Sequence, residues 1–206
     1  MAASMGGRVA VLASGSGTNL QALLDDPRVG PHVVVVVSDR ADAFALERAR
    51  ARGVEAVHVD PTAVPDREAH DRAVLEVLRA RGVDVVVLAG YMRMVGSALL
   101  GDYGGRMLNV HPALLPSFPG THSVPDALAC GVKVTGVTVH LVDAGMDTGP
   151  IVLQEPIPIG PDETLDTLEP RVHEVEHRLL PAAVSALLEG RLVVEGRYVR
   201  IVEGSG

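Results

Sequence analysis

The sequence predicts an α/β fold in which a mixed, mostly parallel, twisted sheet carries helices on both faces. Three short apolar runs rich in β-branched residues are typical of strands buried on both faces of such a sheet: Val9 to Ala13, Val33 to Val37 and Asp84 to Ala89. Helical patterns separate these runs along the chain. This alternation of strand and helix indicates a wound α/β unit.

The first half of the chain contains the helices of that unit. A loop with two glycines begins at Ser14 and opens the first helix. A second helix is predicted from Ala43 to Arg52, and a third, apolar along one face, from Asp66 to Arg81. A glycine follows each of the last two, which is a common helix stop.

The strands of the second half predict a sheet that is no longer purely parallel. The segment MLNVH, residues 107–111, predicts a strand, and residues 112–125 predict a Pro-rich loop. Val132 to Val142 and Ile151 to Ile159 predict two strands around a Gly-rich turn, which is typical of an antiparallel pair. We therefore expect a mixed sheet.

The longest helical pattern covers residues 163–189, where apolar residues recur at alternating spacings of three and four. Pro170 and Pro181 interrupt this pattern, because proline lacks the N–H that an inner helical turn needs. A small hairpin around Gly196 is expected to end the fold.

Composition excludes several classes of function. The net charge of −8 argues against a surface that holds nucleic acid, and an aromatic content of 2% without tryptophan argues against base stacking. No apolar run is long enough to cross a membrane, and the N-terminus lacks the apolar core of a signal peptide. The single cysteine, Cys130, fits a reducing compartment. We expect a cytoplasmic protein that binds small molecules, either as a monomer or as a homodimer.

The loop SGSGTN, residues 14–19, resembles a dinucleotide-binding fingerprint but does not complete it. Gly15 and Gly17 fit G-x-G-x-x-G, whereas Leu20 takes the place of the third glycine that helix packing needs. Backbone N–H groups at the start of a helix favour an anion such as a phosphate. The alternative is that Thr18 or Asn19 only caps the helix.

Polar side chains gather in the second half of the chain. Asn109 and His111 share one side of their predicted strand, which puts an amide donor beside an imidazole. An amide and a protonated histidine suit the negative charge that develops on a carbonyl oxygen during acyl transfer, and Asp147 could orient the imidazole. Taken singly, the three could equally be a turn residue, a hydrogen-bonded strand-end histidine and an Asx-turn residue.

A rival motif lies on the last helix. His173, Glu174 and His177 match H-E-x-x-H, in which two histidines one turn apart bind zinc. No third ligand is obvious beyond Glu189 or Glu195, so we expect no metal. A solvent-facing or substrate-facing side of the helix is the alternative.

Five segments in one order carry a resemblance to a known family: LASGSGTNLQALL, VVVLAGYMRMV, NVHPALLP, FPGTH and MDTGPIVLQ. Together they resemble the formyltransferases that use 10-formyltetrahydrofolate, and most closely the members that act on glycinamide ribonucleotide. The resemblance runs from about Arg8 to Gly190. It implies a Rossmann-like formyltransferase fold, with 10-formyltetrahydrofolate as cosubstrate and no required metal.

The resemblance also implies roles for individual residues. Asn109, His111 and Asp147 match the catalytic residues of the family, and His122 would be a partner of Asp147 outside the direct substrate contacts. The ribonucleotide would contact Ser16, Gly17, Thr18, Asn19, His173 and Glu176. The folate would contact Arg67, Met92, Arg93, Met94, Val95, Asp143, Ala144, Gly145 and Met146.

The resemblance further implies one formyltransferase domain over residues 8–203. Its N-terminal half, about 8–105, would bind phosphate, and its C-terminal half, about 106–203, would hold the catalytic residues and the folate. Residues 1–7 and 204–206 are expected to be flexible. A formyltetrahydrofolate deformylase and a non-catalytic folate or sugar-phosphate binding module remain alternatives, whereas a methionyl-tRNA formyltransferase would need a further C-terminal domain.

Overall fold

The computed structural model describes residues 7–203. Flexibility was expected for residues 1–7 and 204–206. Of these, residues 1–6 and 204–206 lie outside the described residues, whereas Gly7 is described. Gly7 is buried, and its carbonyl lies 3.0 Å from Nδ1 of His32. Gly7 is thus part of the packed fold.

Secondary structure alternates between strands and helices through most of residues 7–203. The strands are β1 (Val9–Leu12), β2 (Val33–Ser38), β3 (Glu55–His58), β4 (Val85–Leu88), β5 (Met107–His111), β6 (Val134–Leu141), β7 (Ile151–Pro158), β8 (Leu192–Glu195) and β9 (Tyr198–Ile201). The helices are α1 (Thr18–Asp25), α2 (Phe44–Ala51), α3 (Arg67–Ala80), α4 (Ser97–Tyr103), α5 (Ser123–Cys130) and α6 (Leu165–Leu188).

The main sheet confirms the predicted mixed, mostly parallel topology. Within the described residues its strand order is β3-β2-β1-β4-β5-β6-β7, and β8 and β9 form a separate hairpin. Strands β1 to β5 pair in parallel, whereas β6 pairs antiparallel with both β5 and β7. The crossover helices of the parallel part leave the carboxyl ends of β1, β4 and β5 at one edge of the sheet.

The two faces of the sheet carry separate hydrophobic cores, because successive side chains of a strand point to opposite faces. In β1, Val9 and Val11 pack toward α1, α2 and α6, while Ala10 and Leu12 pack toward α3 and α4. All four are fully buried. The expectation of helices on both faces is therefore confirmed.

Three elements escaped the sequence prediction. Strand β3 forms an outer strand of the sheet and is only half-buried, so it lacks a continuous apolar run. Helix α4 is only seven residues long. Helix α5 lies partly in the predicted Pro-rich loop, where Pro125 occupies the first turn, a position at which proline removes no helical hydrogen bond.

Helix α6 is continuous where the sequence predicted an interruption. It runs for 24 residues through both Pro170 and Pro181 and begins with a capping box between Thr164 and Thr167. One face of the helix is buried almost throughout its second half, against α1, α5, β6 and β7. This packing outweighs the local cost of two prolines, which is why sequence propensity alone misplaced the break.

Candidate active site

A cavity of about 430 Å³ lies at the edge of the sheet where β1, β4 and β5 end. Its walls come from the loop after β1, the segment after β4, the end of β5, the loop between β6 and β7, and one side of α6. This location is where ligands bind in open α/β sheets, and the volume falls within the range of small-molecule sites.

Most of the residues predicted for the site line this cavity. They are Ser16, Gly17, Thr18, Asn19, Met92, Arg93, Met94, Val95, Asn109, His111, Asp143, Gly145, Met146, Asp147, His173 and Glu176. Arg67, His122 and Ala144 are not part of its lining. Arg67 is exposed at the first position of α3, where its charge lies close enough to influence Asp71 behind the cavity wall.

The glycine loop after β1 is shaped by a left-handed residue. Gly17 has φ of 72°, and a Cβ atom there would come within 2.8 Å of Ala45, so only glycine fits. Gly17 is also the N-cap of α1. The alternative that Thr18 or Asn19 caps the helix is therefore wrong, because both residues already belong to its first turn. Arg48 donates to the carbonyl of Ser16 at 2.8 Å and brings positive charge to the loop.

Asn19 and α6 form a polar wall on this side of the cavity. The Nδ2 group of Asn19 donates to Oε2 of Glu176 at 3.1 Å, and Nδ1 of His173 lies 2.8 Å from the same oxygen. Glu176 is buried, whereas His173 is exposed. The hydrogen bond to Glu176 raises the pKa of His173 above 6.5, although partial burial opposes the change. A hydrogen-bonded histidine and glutamate thus lie beside the glycine loop.

The segment after β4 is held at both ends. The N–H of Met92 donates to Oγ of Ser14 at 2.9 Å, and Ser14 Oγ donates to Asp39 at 2.6 Å. The N–H of Gly96 donates to Oδ2 of Asp71 at 2.6 Å. A Cβ atom at residue 96 would come within 2.3 Å of that oxygen, so glycine is required for the approach.

The catalytic candidates Asn109 and His111 share one face of β5, as the sequence predicted, and both reach the cavity. Nε2 of His111 lies 2.8 Å from the carbonyl oxygen of Phe118, and its Nδ1 lies 3.4 Å from Oδ2 of Asp147. A carbonyl only accepts, and so does an ionised carboxylate. Both ring nitrogens of the buried His111 therefore face acceptors, and these contacts fix the orientation of the ring.

Asp147 is fixed by several contacts. Its Oδ2 accepts from the N–H of Gly120 at 2.8 Å, and its Oδ1 lies 3.5 Å from Nδ2 of Asn109. Burial raises the pKa of Asp147, but the His140 ring beside it, the Gly120 N–H and the nearby His111 lower the pKa more, so it lies below 3.8. Asp147 is consequently a carboxylate at neutral pH.

Backbone strain is concentrated around His111. Phe118 and Asp147, with φ of 51° and 54°, are the two non-glycine residues with positive φ among residues 7–203, and both supply an acceptor to the His111 ring. Such conformations are unfavourable for non-glycine residues and cluster at functional sites, because surrounding contacts must maintain them. Here both strained residues hold the imidazole of His111 in place.

His122 was expected to be a partner of Asp147, but the structure places another histidine there. His122 is exposed, and its Nδ1 lies 3.1 Å from Oγ1 of Thr121. His140, which the sequence analysis missed, lies beside Asp147 with 3.7 Å between Nε2 and Oδ1. His140 pairs directly with Asn109 across β5 and β6. Alternation along the predicted strand would have marked His140 only if the pairing register had been known.

The H-E-x-x-H motif has a polar and a packing role on α6. The rings of His173 and His177 stack with centroids 6.0 Å apart and an angle of 7° between their planes. His173 is bound to Glu176, which lies outside the motif's ligand pattern, and burial lowers the pKa of His177. Between residues 7 and 203, no three or more His, Cys, Asp or Glu side chains are grouped so as to hold a metal ion.

Two further observations concern the cysteine and the membrane-crossing potential of the helices. Cys130, at the end of α5, is exposed. Across the described part of the chain, no helix combines the length and the apolar character needed to cross a bilayer.

Comparison with known proteins gives one consistent result. A model of the formyl transferase family matches residues 7–184. The phosphoribosylglycinamide formyltransferase of Mycobacterium tuberculosis is 49% identical over 192 residues, which cover 92% of this chain and 89% of the relative. That of Bacillus subtilis is 42% identical over 184 residues, covering 88% and 94%.

Solved structures agree with these relatives. The crystal structure of glycinamide ribonucleotide transformylase 1 from Symbiobacterium toebii is 53% identical and superimposes with a TM-score of 0.93 over 98% of this chain and 96% of that one. Since the family model covers most of the sequence and the relatives are similar along nearly their whole length, the chain belongs to the formyl transferase family.

Proposed function

We propose that the chain transfers the formyl group of 10-formyltetrahydrofolate to the amine of glycinamide ribonucleotide, a step of de novo purine biosynthesis. The relatives at 42% and 49% identity bear the name of this activity. The observation that carries the proposal is that one cavity is lined by the glycine loop, by the segment after β4 and by Asn109, His111 and Asp147. It offers room for an anionic and a folate substrate beside one polar cluster.

The ribonucleotide binds on the side of the glycine loop. Backbone N–H groups from Ser16 to Asn19 and the positive end of α1 hold its phosphate, and Arg48 adds a charge nearby. Glu176, hydrogen-bonded to Asn19, and its partner His173 lie beside the loop and hold the amine or ribose end of the molecule. The amine is thereby directed toward β5.

The folate binds between the segment Met92–Val95 and the loop 143–147. Met92, Met94 and Met146 are exposed at the mouth of the cavity, although they are apolar. Methionine adapts its shape and makes favourable sulfur contacts with aromatic rings, so these side chains suit the flat rings of a folate in a chain with few aromatic residues. Arg67 lies outside the cavity lining and reaches only the outer part of a folate.

The amine attacks the formyl carbon, and the tetrahedral oxyanion is stabilised by Asn109 and His111. Their short contacts, to His140 at 3.1 Å and to Phe118 at 2.8 Å, orient the two side chains. Their contacts to Asp147 are long, at 3.5 Å for Asn109 and 3.4 Å for His111. The N–H groups that make these long contacts are therefore the ones that can donate to an oxyanion.

The proton of the attacking amine then passes to the folate nitrogen as the bond between that nitrogen and the formyl carbon breaks. Asp147, a carboxylate 3.4 Å from Nδ1 of His111, assists this transfer through water. No covalent bond to the protein forms, since the amine itself is the nucleophile.

We also propose the domain arrangement that this function needs. Residues 8–203 act as one formyltransferase domain, with phosphate binding in residues 8–105 and most of the catalytic and folate contacts in residues 106–203. The cavity supports this division, because both parts contribute to its walls. A small-molecule enzyme of this kind, with one exposed cysteine, suits the cytoplasm.

Turnover of both substrates tests the proposal. Purified protein with 10-formyltetrahydrofolate and glycinamide ribonucleotide should give the absorbance change of free folate, and omission of the ribonucleotide should abolish it. His111→Ala should fold normally and lose about a hundredfold to a thousandfold in kcat, as for removal of one oxyanion donor. Folate release without ribonucleotide would indicate a deformylase, and binding without turnover a non-catalytic module.

A further inference from the structure

Resting on the proposed function, we infer that His140 is a positioning residue: as a neutral ring protonated at Nδ1, it holds the amide of Asn109 in the orientation that presents N–H to the oxyanion. His140 lies on β6, directly opposite Asn109 on β5, and only 2% of its surface is exposed. It is one of the residues that line the cavity.

The proton on His140 is located by its contact with the backbone. Nδ1 lies 2.9 Å from the carbonyl oxygen of Leu141. A carbonyl oxygen only accepts, so Nδ1 carries hydrogen. Gly149 lies close to both groups. A Cβ atom at residue 149 would come within 1.7 Å of the Leu141 oxygen and 3.3 Å of Nδ1. A glycine is therefore needed for the ring to keep this position.

The orientation of Asn109 is fixed by Asp147. Oδ1 of Asp147 lies 3.5 Å from Nδ2 of Asn109, and a carboxylate accepts hydrogen bonds but cannot donate them. The amide nitrogen of Asn109, and not its oxygen, must therefore point toward Asp147.

These two constraints determine the second nitrogen of His140. Nε2 lies 3.1 Å from Nδ2 of Asn109, and since that amide nitrogen can only donate, Nε2 must accept with its lone pair. Asp147 lies 3.7 Å from Nε2, too far for a hydrogen bond to compete. A proton on Nε2 would face the N–H of Asn109, and relief would require the amide to flip so that its oxygen, instead of its nitrogen, faces His140 and Asp147.

The consequence for the reaction concerns the second hydrogen of the Asn109 amide. One N–H is committed to His140, so the amide plane is fixed and the other N–H points at the space beside Asp147 where the oxyanion develops. His140 does not touch the substrate in this arrangement. It acts through Asn109, as outer hydrogen-bond partners orient many catalytic groups.

Nitrogen NMR of the unliganded protein tests the tautomer directly. In protein with ¹⁵N-labelled histidine at pH 7.5, His140 should show a protonated Nδ1 and an unprotonated Nε2. The signal is assigned by its disappearance in His140→Gln. A proton on Nε2, in the other tautomer or in the imidazolium, would overturn the inference. Because no substrate is involved, this result is independent of the proposed function.

Two matched variants test the effect on turnover. His140→Gln can place its amide oxygen where Nε2 accepts, and should keep kcat within about tenfold of the parent. His140→Asn can reach only the Leu141 carbonyl, and should lose about a hundredfold in kcat with KM for either substrate nearly unchanged, because a misplaced catalytic group costs roughly this much. Equal losses in both folded variants, or a loss confined to KM, would refute the role. A parent without transferase activity would refute the proposed function and leave the NMR result standing.

Discussion

His111 is held by two acceptors that come from strained backbone. The carbonyl of Phe118 and the carboxylate of Asp147 face opposite nitrogens of its ring, and both residues have positive φ. These contacts fix the ring before any substrate binds, so an oxyanion needs no large rearrangement of the protein to find its donor.

The pair His173 and Glu176 gives a prediction at the same scale. Since the hydrogen bond to Glu176 raises the pKa of His173, Glu176→Gln should move it down toward 6.5. The pair stabilises the fold fully below pH 6.5, and this contribution is lost as the pH rises through the higher folded pKa. The parent should therefore lose its stability advantage over Glu176→Gln as the pH rises from 6.5 through the raised pKa of His173.

An NMR titration of the histidine ring protons measures this change, with denaturation at several pH values beside it. Glu174→Gln is the matched control, because Glu174 is an exposed neighbour on the same helix. It should leave the titration of His173 in place. An unchanged His173 titration in Glu176→Gln would mean that the pair does not set its charge.

Individual site residues differed in how far the sequence could reveal them. Asn109 and His111 follow from the alternation of side chains along one strand, which is local. The position of His140 beside Asn109 follows from the antiparallel register between β5 and β6. The position of His122 away from Asp147 follows from the path of the loop that carries it. Contacts of this kind join residues about 30 positions apart and leave no periodic trace in the sequence.

At the scale of elements, two buried side chains hold the segment between β4 and α4. Ser14 accepts from Met92 at one end, and Asp71 accepts from Gly96 at the other. Burial raises the pKa of Asp71, while the Gly96 N–H and nearby positive side chains oppose the rise. Neither residue needs to touch a substrate, yet both determine where Met92 to Val95 lie.

Removal of the Asp71 acceptor should loosen this segment. Asp71→Ala leaves the Gly96 N–H without its partner, and should lower the free energy of unfolding by about 1–3 kcal/mol. We expect KM for 10-formyltetrahydrofolate to rise about tenfold, equivalent to about 1.4 kcal/mol, with a smaller change for the ribonucleotide. Steady-state kinetics with each substrate varied in turn gives the comparison.

Asp71→Asn is the control, because its amide oxygen can still accept from Gly96. It should affect KM for the folate less than Asp71→Ala does. A larger effect of the asparagine variant, or equal effects on both substrates, would contradict the assignment of Asp71 to this segment.

The elements themselves were predictable where the hydrophobic pattern was strong. Strands β1, β2 and β4 are buried on both faces and were found within one or two residues of their ends. Strand β3 and helix α4 are short and bury few side chains, so their sequences carry little signal. In α6 the sequence predicted an interruption that the structure does not have, because tertiary packing outweighs the local effect of proline.

At the scale of the whole molecule, α6 connects the two parts of the fold. It packs against α1 from the first part and against β6 and β7 from the second, and it carries His173 and Glu176 into the cavity between them. The stability of this helix therefore bears on the whole molecule, and Pro170 is an exposed proline inside it. Proline there lacks the N–H that would donate to the carbonyl of Asp166, four residues earlier.

Pro170→Ala should therefore stabilise the protein. An inner-helix proline costs about 3 kcal/mol relative to alanine, of which about 1 kcal/mol is returned when the unfolded chain gains freedom. We expect a net gain of roughly 1–2 kcal/mol, which corresponds to a rise in Tm of about 2–8 °C for a chain of this size. Because Pro170 is exposed and lies outside the cavity lining, kcat should not change. Pro161→Ala, in the exposed turn before α6, is the control and should give no gain, since no helical hydrogen bond is restored there. Chemical denaturation at neutral pH compares the three proteins. A less stable Pro170→Ala protein would show that α6 depends on the proline for its path between the two parts of the fold.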